Sequence, residues 1–229
     1  MTDLLDLLDD LEARDRAAQP YVGAAPLHFT SAYYTPDEFL EARDGWVQRY
    51  GHLEWADRPR CRMWTLGITT GWCNASPGHR LCVLQVDLRC ECRFPYLVDE
   101  WERVGPCSCP GDLMYQANCP DCRWHTIQPS ENAVVQAWHD HAWPGWRDLP
   151  VMPFDVRPHG GSMDPAHAME KRAAAKARAW AAEHYPAEWQ VPGAPVVTER
   201  TWIGSRNVPG YSPWGGFDLT GRIIDEVTS

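Results

Sequence analysis

Hydrophobic and polar positions divide the chain into distinct stretches. Leu4, Leu5, Leu7, Leu8 and Leu11 recur along one helical face over residues 2–16, with Asp3, Asp6, Asp9, Asp10 and Glu12 between them. That spacing predicts an amphipathic helix, and its carboxylates suit the positive end of the helix dipole. The helix, within residues 1–18, either packs on its own domain or, with Leu4, Leu8 and Leu11 as anchors, enters a groove of another protein. Gln19 to Tyr34, with Pro20, Gly23 and Pro26 and a short aromatic or β-branched run, reads as a linker with one candidate strand, and a second helix then begins with a full start signal. Thr35 can cap it, Pro36 takes the first helical position and Glu38 completes a Thr-x-x-Glu capping box. Phe39, Ala42, Trp46, Val47 and Tyr50 would line its buried face.

The apolar run from Leu81 to Arg89 predicts a strand, and Leu113 to Ala117 a shorter one. Ser130 to about Ala142 reads as a helix capped by Ser130, with Val134, Ala137, Trp138 and His141 on the apolar face and Asn132, Gln136 and His139 turned away. It stops at Trp143-Pro144-Gly145-Trp146. A further helix is expected from about Asp164 to Tyr185, and Val196 opens one strand followed by an irregular arm through GSRNVPGYSPWGGF. The organisation predicted is an acidic helix at 1–18, a helical and aromatic part at 19–80, a metal-binding core at 81–153 and a C-terminal helix with an irregular tail at 154–229.

Cysteines punctuate that core. Cys90 and Cys92 form one CxC, Cys107 and Cys109 a second, and Cys119 and Cys122 a CxxC, with His125 three residues on. Thiolates two or three apart bend the backbone round one ion, because Zn²⁺ takes four ligands tetrahedrally and tight turns supply them in pairs. The second CxC and the CxxC are close enough to share a site, leaving Cys90 and Cys92 as extra ligands, half of a second site, or partners in a different pairing. His141 is a further candidate ligand, its alternative being a satisfied core histidine. Cys61, Cys73 and Cys82 read as small buried fillers. The fold class expected is α+β: a small zinc-ribbon-like β core with three or four helices packed around it and long Pro/Gly-rich loops.

Composition sharpens this picture. Thirteen Trp and twenty Pro beside five Phe indicate a loop-rich fold that benefits from a metal staple. Nine cysteines, an odd number, in a chain with an acidic start and no apolar run of bilayer length point to reduced thiols and a cytoplasmic location, with no membrane association. The net charge of −10 disfavours direct nucleic-acid binding and favours a basic protein partner. Lys171, Arg172, Lys176 and Arg178 form a local basic cluster, read as a solvated helix face.

An enzyme would need a reacting constellation. His52-Leu53-Glu54 supplies the HxE of a deaminase but no PCxxC follows, and neither a phosphate-binding GxxxxGK[ST] loop nor a GxSxG elbow occurs. His139-Asp140-His141 lacks the further His and Asp of a metallohydrolase. No small-molecule substrate is evident, and a non-enzymatic zinc-stabilised protein is expected. A zinc-ribbon DNA-binding accessory or transcription regulator and a zinc-dependent hydrolase are the alternatives.

DLRCEC, CSCPGDLMYQANCPDC, ENAVVQAWHDHAWPGWRDLPV and RNVPGYSPWGGFD resemble a family of Cys-rich proteins, a domain of unknown function, found in actinobacteria and their phages. The resemblance covers residues 81–153 closely and the tail more loosely. Such phages use serine integrases, and the size, acidity and cysteine content are similar to those of a recombination directionality factor. The resemblance therefore implies a phage or mobile-element regulator that binds a serine integrase on DNA and switches it toward excision.

Overall fold

The computed structural model describes residues 20–51, 62–67, 72–76, 78–89, 111–156, 168–201 and 207–224. The helix expected at 1–18, with Leu4, Leu8 and Leu11, lies outside the described residues, as do Cys61 and the His52-Leu53-Glu54 motif.

The first described helix, α1 (Pro36–Tyr50), carries the predicted capping box. The Thr35 N–H donates to Glu38 Oε2 at 2.7 Å, and the Glu38 N–H donates to Thr35 Oγ1 at 3.3 Å. Two otherwise unpaired donors are satisfied by neighbours three residues apart, which is why this start is legible locally. Phe39 and Ala42 are buried as expected, whereas Tyr50 is 62% exposed, its ring tilted against Trp46 with centroids 4.3 Å apart.

Five strands follow: β1 (Thr65–Leu66), β2 (Trp72–Ser76), β3 (His79–Asp87), β4 (Leu113–Cys119) and β5 (Trp124–Gln128). They form one antiparallel sheet ordered β1-β3-β4-β5, with β2 also pairing β3. The strand predicted at 81–89 is present two residues earlier, the one at 113–117 runs two residues further, and β1, β2 and β5 are additions to the expected set. A second helix, α2 (Glu131–Ala142), and a short 3₁₀ turn (Trp146–Asp148) come next. Ser130 occupies the N-cap position of α2, but its side chain makes no capping hydrogen bond.

The sheet is covered on both sides, and this explains the continuous apolar run in β3. Leu81 and Val83 join one cluster with Ala117, Cys119, Val134, Val135 and Trp138. Cys82, Leu84, Val86 and Leu88 point the other way, into a cluster with Phe39, Ala42 and Trp64 from the N-terminal part. Cys82 is thus a buried filler, as its strand setting predicts.

A third helix, α3 (Ala168–His184), and two strands complete the described chain. Arg172, Lys176 and Arg178 are exposed along α3, with Lys176 3.6 Å from Asp155. Only β6 (Val196–Thr201) is expected of the tail, yet β7 (Asp218–Ile224) pairs with it in parallel. Gly221 permits that pairing, because a Cβ there would lie 2.3 Å from Val197 Cγ1. Beneath the pair, Arg200 and Asp218 are almost fully buried and form a 2.8 Å ion pair, with Thr198 Oγ1 donating to Asp218 Oδ1 at 2.7 Å.

The tail is fastened to the centre. Met152 bridges Thr198, the Val197 N–H donates to the Tyr185 hydroxyl at 2.8 Å, and Phe217 packs against Trp138 and His139. The architecture is α+β, with three α-helices among the described residues. No helix among them is long and apolar enough to cross a membrane.

Candidate metal centre

Four potential ligands converge where β3 begins, β4 ends and α2 passes over the sheet: His79, Cys119, Cys122 and His141. Strand register delivers the first three. β3 and β4 pair with Cys82 opposite Asn118, so the same antiparallel register carried outward sets His79 beside the turn that follows Cys119. That turn is closed by the Cys122 N–H donating to the Cys119 carbonyl at 3.3 Å and by Arg123 in the left-handed region at φ 53°. A further tie fixes the two hairpins together. The Arg80 N–H donates to Asp121 Oδ2 at 2.7 Å and its Nε donates to Oδ1 at 3.0 Å. Hydrogen bonding from Arg80 holds the Asp121 carboxyl below its ordinary range, so this carboxylate already has a cationic partner.

Helix α2 delivers the fourth ligand. Its Val134, Val135 and Trp138 sink into the core, and His141, a turn beyond Trp138, comes to the edge of the sheet. The Trp124 ring stacks on His141 with centroids 4.8 Å apart and planes at 1°, and His79 meets the same imidazole edge-on at 5.0 Å. This aromatic packing fixes the imidazole plane before any ion arrives.

The two distances from His79 to the sulfurs match the edges of a small tetrahedral site. His79 Nδ1 lies 3.3 Å from Cys122 Sγ and 3.8 Å from Cys119 Sγ, and all four ligand atoms fall within 4.8 Å of one another. A tetrahedron with metal–sulfur bonds of about 2.3 Å and metal–nitrogen bonds of about 2.0–2.1 Å has edges of roughly 3.3–3.8 Å. His141 Nε2 is buried with no hydrogen-bond partner, a costly state that a metal bond would relieve. Burial is the main reason the Cys119 thiol is pushed up, with the Cys122 thiol adding to it, and burial followed by the charge of His79 pushes His141 down. A divalent cation would offset these costs by drawing off the thiol protons and binding neutral imidazoles. The residues present therefore fit a metal ion with two sulfur and two nitrogen ligands.

Of the predicted site residues, the structure brings together Cys119, Cys122 and His141. Among the described residues the fourth ligand is His79. Cys107 and Cys109 are the pair whose spacing offered them as partners of the CxxC. Those two, with Cys90 and Cys92, lie outside the described residues. His125 is not in the cluster; its Nε2 lies 3.1 Å from the Ser31 carbonyl and its ring contacts Tyr33.

His79 is the ligand that sequence reasoning missed. It stands forty residues before its nearest partner and belongs to no paired motif, and its one local mark is the Gly78 turn at φ 77°. His139 corrects another expectation. Rather than turning away from the core it is fully buried, packed against Trp138 and Phe217, with Nδ1 donating to the Val135 carbonyl at 2.7 Å. Burial drives its pKa down to about 4, so it is a neutral core residue.

A family model described as "Family of unknown function (DUF6349)" matches residues 24–227. No curated protein and no solved structure matches the chain.

Proposed function

The chain belongs to the DUF6349 family, and we propose that it is a non-enzymatic, zinc-stabilised protein-binding regulator. One observation carries this reading: two thiols and two imidazoles converge at the meeting point of three elements. Four protein ligands fill a tetrahedral zinc shell and leave no position for substrate, as in structural sites. The ion would then join β3, the β4–β5 turn and α2, holding the sheet to its helix. In this reading the site is a variant zinc ribbon, in which the CxxC turn is one knuckle and His79 with His141 replaces the other.

The register further supports a second ion. The Leu88 N–H donates to the Asp112 carbonyl at 3.0 Å, so the chain between them leaves and rejoins the sheet at one point. Leu88 lies nine strand residues from His79, about 30 Å at 3.3 Å per residue. Cys92 is four residues beyond Leu88 and reaches at most about 14 Å further. This reach favours assigning Cys90 and Cys92, with Cys107 and Cys109, to a second four-thiolate zinc set as part of the proposal. Metal analysis tests this: wild type binds two zinc ions per chain, Cys90→Ser/Cys92→Ser one, and a single ion in wild type refutes it.

The partner proposed is a basic DNA-handling protein, attracted by the net charge of −10 and gripped by the Leu4, Leu8 and Leu11 face. Its most specific form is a serine integrase, with this chain as the recombination directionality factor that favours one synaptic arrangement. Added to the cognate integrase, the purified protein should stimulate attL × attR recombination and inhibit attP × attB. No effect on either reaction refutes the integrase role. A pull-down that is unchanged without residues 1–16 refutes the helix anchor.

A further inference from the structure

We infer that Cys119 and Cys122 are a thiol–disulfide modification site through which a hydroperoxide releases the metal, an inference that rests on the metal reading above. The two sulfurs differ in access: Cys119 is fully buried and Cys122 is exposed. They are also close enough to join without rearranging the sheet. The Cys122 N–H bond to the Cys119 carbonyl closes a four-residue turn, in which the terminal Cα atoms lie within about 7 Å. A disulfide needs about 4.4–6.8 Å.

Cys119 itself is held in the ladder opposite Trp124, and Asp121 is tied to Arg80. The knuckle consequently keeps its shape when the sulfurs change partners. Neither His79 nor His141 can follow the thiols into a covalent bond, so oxidation leaves two neutral imidazoles, too few to retain the ion.

The chemistry balances with a hydroperoxide as the two-electron oxidant. The exposed Cys122 thiolate attacks the peroxide oxygen, the O–O bond breaks, and an alcohol (water, from hydrogen peroxide) leaves with one proton. Cys119 then attacks the Cys122 sulfenic sulfur, forming the S–S bond and expelling hydroxide, which takes a second proton to become water. The metal departs as the hydrated divalent cation. A solvent-accessible attacking sulfur beside a buried resolving one is the arrangement that favours this course over further oxidation.

The test uses the full-length zinc-loaded protein and hydrogen peroxide, with released zinc followed by a chromophoric chelator and cysteines mapped by peptide mass. One zinc equivalent should be released as a Cys119–Cys122 disulfide forms, and dithiothreitol with zinc should restore both. Cys122→His keeps four ligands while removing the attacking sulfur, so it should hold zinc and slow peroxide-driven release from this site at least tenfold. A chain that keeps zinc at this site, or that yields Cys119 as a sulfinic acid or paired elsewhere, overturns the inference alone. Equal release from Cys122→His does the same. A chain with no zinc at His79 and His141 before peroxide overturns the metal reading and this inference with it.

Discussion

Replacing His79 with alanine removes the ligand that no motif announces, and its effect can be worked out in advance. Structural zinc sites bind with about 10–16 kcal/mol at neutral pH. Shared over four ligands this is roughly 2.5–4 kcal/mol each, or two to three decades in Kd at about 1.4 kcal/mol per decade. The consequence for stability follows by linkage. With free zinc at about 100 times the wild-type Kd, binding adds about 2.7 kcal/mol to the unfolding free energy. A His79→Ala chain whose Kd is raised 100-fold keeps only about 0.4 kcal/mol of that at the same zinc concentration. The loss of about 2.3 kcal/mol corresponds to roughly 5–9 °C in melting temperature for a chain of this size. Calorimetric melts with zinc and with chelator measure it, and competition against a chromophoric chelator gives Kd directly. His125→Ala is the control, since that ring lies near the same turn but outside the cluster. Wild-type affinity in His79→Ala, or equal weakening in His125→Ala, refutes the ligand assignment.

Substitutions at Trp138, Asp218 and Thr35 test the scaffold that presents the site. Trp138→Ala empties a fully buried position between the sheet and Phe217, and urea unfolding should show a loss of about 3–5 kcal/mol. Asp218→Ala leaves the buried Arg200 charge without its carboxylate and should cost about 3–5 kcal/mol by the same measurement, while Asp44→Ala, which removes an exposed pair with Arg43, should cost under about 1 kcal/mol. Thr35→Ala removes the side chain that caps α1 and should cost about 1 kcal/mol, with Thr35→Ser close to wild type.

What was legible in the sequence follows from how local each cause is. The start of α1 is written in four adjacent residues, and the structure reproduces it hydrogen bond for hydrogen bond. The CxxC is equally local, and its turn forms as its spacing suggests. His79 depends on strand register, which pairs β3 with a strand some thirty residues later and leaves no trace in spacing. A single apolar stripe on α2 predicts His139 outward. Phe217, nearly eighty residues later, covers a second flank and widens the buried face. Strand β7 was hidden for a similar reason. Its Gly221 and the preceding turn-rich stretch read as irregular, whereas the glycine serves a close approach to Val197 that only the parallel pairing creates.

The most direct test is an anomalous-difference map at the zinc edge from crystals of the zinc-loaded protein. A peak is expected about 2.0–2.3 Å from His79 Nδ1, the sulfurs of Cys119 and Cys122, and an imidazole nitrogen of His141. A protein carrying zinc elsewhere, with no peak among these four side chains, would contradict it.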